Sequence, residues 1–208
     1  SSKTLSIDIS PDSPEDFSFC KLSDKKDLDL DEGSFYYESW ICELGRILIG
    51  DTKDELIWNK TATINGHAVF DTRSKYVYIP DGYLNYVSNS LHLKKNKCKL
   101  EQDEISGEKY FSCPVELEDK LDEIKDLYFI LEGNGFKLQA EDIFEINNGK
   151  LESLIRFIDS VDNIWVLGIP FLKNYKILFD YENVQIVLNE NDIINFKEEY
   201  KKWIFDEG

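Results

Sequence analysis

Asp71-Thr72-Arg73-Ser74 is the tetrapeptide in this chain whose residue types and spacing suit chemistry. It follows an apolar run, Ala68-Val69-Phe70, and precedes another strand-like run from Lys75 to Ile79. A guanidinium within roughly 4–6 Å of a carboxylate favours its charged form and lowers its pKa. Arg73, two residues from Asp71, stands where it can do that. The alternative reading has Arg73 turned to solvent or paired with another acid, and Asp71 as a turn residue. Ser74 has no neighbouring motif that supplies a base, so it carries no nucleophile signal. His67 and His92 are the only imidazoles, and no CxxC accompanies them, so no zinc site is expected. Gly133-Asn134-Gly135 reads as a turn, because no Gly-Lys-Ser or Gly-Lys-Thr follows to cradle phosphate. No cofactor is implied.

The elements that must position the tetrapeptide are mostly strands. Aromatic residues make up 13% of the chain and sit among β-branched runs, which favours β structure. Phe17 to Leu22, Lys75 to Ile79, Leu127 to Leu131, Trp165 to Leu167, Lys176 to Asp180 and Val184 to Leu188 read as strands. So does Ser34 to Trp58, with a break near Gly50-Asp51. Asn65-Gly66 predicts a hairpin between Thr61–Ile64 and Ala68–Phe70, since both residues tolerate positive φ. Tyr83 to Leu91 predicts a short helix, and Leu151 to Ile158 also has helical spacing. Ile193, Phe196, Tyr200, Trp203 and Ile204 fall on one face of an amphipathic helix over 192–205. The boundaries expected are a lobe over residues 1–189 and a helical extension over 190–208.

Acidic residues outnumber basic ones 41 to 24, a net charge of −17. That argues against nucleic acid, whose phosphates need lysine and arginine, and against an anionic membrane surface. No apolar run reaches the roughly 18 residues of a membrane span, so no membrane insertion is expected. Four cysteines permit two disulfides. Cys98 and Cys113 bracket a polar hairpin or loop, and Cys20 and Cys42 lie on segments that read as neighbouring strands. The even count leans towards the secretory pathway or the extracellular space, with four buried thiols as the alternative. The acidity also suits an acidic vesicular compartment or a basic partner.

Two segments together resemble a known family. Ala68-Val69-Phe70-Asp71-Thr72-Arg73-Ser74 running to Pro80 resembles the strand and catalytic loop of pepsin-like aspartic proteases. Trp165-Val166-Leu167-Gly168-Ile169-Pro170-Phe171-Leu172, continuing to Phe179-Asp180, resembles the family's later Trp-aliphatic-aliphatic-Gly segment. Their order and separation match the second lobe, over roughly residues 4–189, and Cys98 and Cys113 fall where many members carry a disulfide. The resemblance implies a mostly β fold: one lobe of the pepsin-like double-ψ β-barrel with short helices, here with an added C-terminal helix. It makes Asp71 one of two aspartates that share a proton across a water. It gives Thr72 a contact to the other lobe, and it makes Val166, Leu167 and Gly168 the support beneath the loop.

Two features depart from the family. Arg73 replaces the motif glycine, and no second Asp-Thr-Gly or Asp-Ser-Gly occurs in these residues. The reading that follows is a non-catalytic lobe used for binding or structure, beside a protein partner such as an N-terminal protease lobe. The alternative is half of an aspartic endopeptidase completed by a lobe on another chain or outside this sequence.

Overall fold

The computed structural model describes residues 17–21, 40–50, 63–160, 163–175, 177–180, 185–189 and 193–196. Its centre is a mixed sheet of 12 strands with β1, β13 and β14 forming a separate sheet of three. The small sheet contains β1 (Phe17–Lys21), β13 (Ile177–Asp180) and β14 (Gln185–Asn189), with β14 in the middle.

Four strands of the large sheet position the tetrapeptide: β2 (Trp40–Ile49), β3 (Thr63–Phe70), β4 (Val77–Pro80) and β12 (Ile164–Leu167). β3 pairs antiparallel with β2 and parallel with β12, and β12 in turn pairs with β4. These strands read as near-continuous apolar runs because both of their faces are covered. Cys42, Ala68, Phe70, Val77, Ile79, Trp165 and Leu167 point into the main core. The alternating Ile41, Val69, Ile164 and Val166, with Tyr78 against them, form a second cluster.

The main core is strongly aromatic. Phe171 lies on the short helix α3 (Ile169–Leu172), which follows α1 (Leu84–Ser90) and α2 (Ala140–Ile143) along the chain. Its ring centroid is 6.2 Å from that of Phe70, 5.5 Å from Phe129 and 5.1 Å from Tyr175. Edge-on and tilted ring packing of this kind adds to area burial. It places this aromatic cluster against Phe70, the last residue of β3.

A second group of strands walls the site: β5 (Lys99–Gln102), β6 (Lys109–Cys113), β9 (Phe144–Asn147), β10 (Lys150–Ser153) and β11 (Ile155–Ile158). β11 runs parallel to β4, with Arg156 in register with Tyr78. The expected Cys98–Cys113 disulfide joins the start of β5 to the end of β6. Cys42 is disulfide-bonded too. Its expected partner, Cys20, has a side chain outside the described residues.

Three expectations are corrected. Asn65-Gly66 is not a hairpin, because β3 runs through both residues. A Cβ on Gly66 would meet the Asn163 carbonyl at 2.6 Å, so this glycine serves a close backbone approach within a strand. Leu151 to Ile158 is not helical. It forms β10 and β11, each paired on two sides, and tertiary pairing overrides the spacing. The helix expected over 192–205 does not begin there, because Ile193–Asn195 is a strand, β15. β15 pairs with β8 (Asn134–Leu138), which is joined to β7 (Leu127–Leu131) by Glu132-Gly133. The edge of β8 offers unmade hydrogen bonds, and Phe196 gains a fully buried seat against Leu48, Tyr128 and Ile130. That combination outweighs a helical pattern. Residues 197–205 lie outside the described residues.

Candidate active site

Asp71 is the first residue after β3, in a loop that reaches Val77 through turns. Its backbone N–H donates to the Leu167 carbonyl at 3.2 Å, and its own carbonyl accepts from the Ser74 N–H at 3.2 Å. The Ser74 carbonyl accepts from Ile169 N–H at 2.9 Å. The ends of β3 and β12 are thereby tied crosswise. Val166 and Leu167 lie on β12 and Gly168 follows, so the residues expected to support the loop are brought against it.

The Asp71 side chain is 14% exposed and faces Arg73 from several directions. Its Oδ1 accepts from the Arg73 backbone N–H at 2.9 Å and from Nε at 3.0 Å. Its Oδ2 accepts from Nη2 at a looser 3.4 Å. Burial on its own pushes the Asp71 carboxyl up. The Arg73 hydrogen bonds and charge outweigh that and hold it below the usual carboxylate range. Arg73 therefore pairs with Asp71 rather than with solvent alone, although its side chain is 70% exposed.

The neighbouring residues divide clearly. The Ser74 hydroxyl donates to the Tyr76 carbonyl at 2.8 Å and accepts from the Tyr76 N–H at 3.2 Å. It is engaged in its own turn. The half-buried Thr72 hydroxyl has no hydrogen-bond partner among the described residues. His67 sits on β3, where burial lowers its pKa and Glu43 only partly offsets this. His92 is an exposed residue with positive φ.

Asp71, Arg73 and Ser74 open onto a cleft of 520 Å³. Tyr78, Glu108, Ile158 and Val166 line the rest of it. The Tyr78 hydroxyl lies beside the Glu108 carboxylate. Burial, then the Glu108 charge, push Tyr78 up to about 12. Sequence reasoning missed Tyr78, Glu108 and Ile158 as site residues. The period-2 pattern of β4 could have signalled Tyr78, which faces away from the main core between Val77 and Ile79 and packs on the second cluster. Glu108 had no signal, since only the folding of its hairpin against β11 brings it there.

A mostly β lobe with an aspartate loop held across two parallel strand ends is the architecture of a pepsin-like half. The match to the family model of the eukaryotic aspartyl protease covers residues 29–191. The chain belongs to that family. No curated protein matches it.

Proposed function

We propose that this chain is a non-catalytic pepsin-like lobe that acts as a protein-binding or structural module beside a partner lobe or chain. The observation that carries the reading is the capture of Asp71 by Arg73 through three hydrogen bonds. Catalysis by paired aspartates needs carboxylates that share one proton, one acting on water and the other assisting the carbonyl oxygen. A carboxylate held charged by a guanidinium resists taking that proton. The Arg73 side chain also lines the cleft beside Asp71. The Thr72 hydroxyl, without a hydrogen-bond partner among the described residues, supports contact with a second lobe. The Cys98–Cys113 disulfide supports a secretory-pathway, extracellular or acidic vesicular setting, where disulfides persist.

One observation favours the second reading, the C-terminal half of an aspartic endopeptidase. Arg73 is exposed, and an exposed ion pair is held weakly, so a docking first lobe could displace it. The deciding experiment is cleavage of an unfolded protein substrate from about pH 3 to pH 7, across the carboxylate titration range. It is run with the purified chain and its Arg73→Gly variant, each with and without an active-site-directed inhibitor. No cleavage by either is expected. Inhibitor-sensitive cleavage by the wild-type chain would overturn the proposal. Cleavage growing with the square of concentration would point to a homodimer of two Asp71 loops. Cleavage only after adding a separately produced first lobe would establish the two-chain protease.

A further inference from the structure

The cleft holds two carboxylates in different situations. Asp71 is already met by the Arg73 guanidinium. Glu108 pairs with no lysine or arginine among the described residues. The group beside it in the cleft is the Tyr78 hydroxyl, which is neutral and does not offset a negative charge.

Glu108 is also held in place. Its carbonyl accepts from the Asp103 N–H at 2.8 Å, and its N–H donates to the Ser106 hydroxyl at 3.3 Å. The turn below it is tied by Asp103 Oδ1, which accepts from the N–H groups of Ile105 and Ser106 at 2.9 and 2.8 Å. The far end of β6 is fixed by the disulfide. Arg156, the cation stacked on this wall, is engaged elsewhere. Its guanidinium lies 4.4 Å from the Tyr76 ring centroid and 4.0 Å from that of Tyr110, and donates to the Ser153 carbonyl at 3.0 Å. A carboxylate carried on a fixed backbone, with no cation paired to it among the described residues and lining the cleft with the apolar Ile158 and Val166, suits a cation on an aliphatic stem.

We propose that the cleft takes an extended peptide segment and selects it by a lysine or arginine side chain whose stem lies on Ile158 and Val166 and whose head meets Glu108. The proposal rests on the reading of this lobe as a protein-binding module. The net charge of −17 assists by drawing cationic segments towards the chain.

The test uses two fluorescently labelled peptides of alternating apolar residues, one with a central lysine and one with norleucine there. Anisotropy is measured on the full chain, on Glu108→Gln and on Glu108→Lys. The lysine peptide should bind the wild-type chain about tenfold more tightly, the scale of one charge-assisted hydrogen bond. Glu108→Gln should erase that preference and leave the norleucine peptide's affinity unchanged. Glu108→Lys should favour a third peptide with central glutamate, which shows that a folded cleft has changed sign. Equal binding of lysine and norleucine peptides to wild type, or a preference surviving Glu108→Gln, overturns the selectivity alone. If the wild-type chain binds none of the peptides, the protein-binding reading of the cleft falls, and the selectivity with it.

Discussion

Gly168 backs onto Tyr76 so closely that a Cβ there would lie 2.1 Å from the Tyr76 carbonyl oxygen. The same Cβ would lie 2.6 Å from the Ser74 carbonyl oxygen. Its φ of −89° is open to any residue, so the requirement is for space and not for torsional freedom. Both obstructing atoms are backbone, and the Ser74 carbonyl is held by the Ile169 N–H. Gly168→Ala must therefore push the Asp71 loop away from β12. It should destabilise the chain by about 3 kcal/mol, the upper end for overpacking. Urea unfolding followed by tryptophan fluorescence measures this, and a loss under about 0.5 kcal/mol, the level of a neutral surface change, would show the loop to be slack.

The Asp71–Arg73 pair predicts a pH dependence with a definite sign. Asp71 titrates lower in the folded chain than in the unfolded one. Its contribution to stability is thus present above the unfolded carboxylate pKa and is lost as pH falls through the lowered folded value. Arg73→Gly removes the side-chain hydrogen bonds and the charge, leaving only the backbone N–H of residue 73 to oppose burial, which pushes the carboxyl up. The Asp71 titration, followed by carboxyl carbon NMR, should shift to higher pH in the variant. An unchanged titration would mean that the backbone N–H alone holds the carboxylate.

The Cys98–Cys113 disulfide spans a sequence separation of 15. The chain-entropy model gives about 3 kcal/mol for a loop of this length. Cys98→Ser with Cys113→Ser should lower stability by that order. It should also loosen the β5–β6 hairpin that carries Glu108, read as faster amide exchange at Lys109 to Phe111. Unaltered exchange there would mean that β10 and β11 hold the hairpin unaided.

Legibility of the chain followed how local each determinant is. Asp71, Leu167 and Gly168 were readable together through the resemblance of their two short segments to those of pepsin-like proteases, whose residue types are distinctive. Cys98 and Cys113 were readable for the same reason. Asn65-Gly66 misled because its turn chemistry is overruled by a backbone carbonyl at Asn163, about a hundred residues away in sequence. Leu151 to Ile158 misled because it joins two short strands, and β11 is buried at successive residues and so shows no period-2 signature. Glu108 was illegible because a hairpin's placement against β11 is a purely tertiary fact. The hairpin after β7 was readable in kind, but its turn is Glu132-Gly133, both at positive φ, and not the glycine pair itself. Gly135 has a different task.

That task concerns Phe196. A Cβ on Gly135 would meet the Phe196 ring at 2.6 Å and the Ile130 side chain at 3.2 Å. Phe196 is fully buried, and its N–H donates to the Gly133 carbonyl at 2.9 Å. The Cδ2–Cε2 side of the ring therefore lies close over a glycine in β8. Phe196→Ala should cost about 3–5 kcal/mol, as loss of a buried aromatic ring does. Gly135→Ala should cost about 1–3 kcal/mol by overpacking. The two changes should not add, since removing the ring vacates the space that the new methyl needs. In the Phe196→Ala background, Gly135→Ala should be close to neutral, giving a coupling of about 1–3 kcal/mol in a double-mutant cycle. Urea denaturation of the four proteins measures it. Strict additivity would mean that Phe196 does not rest on Gly135, and the docking of β15 on the sheet would then lose its main support.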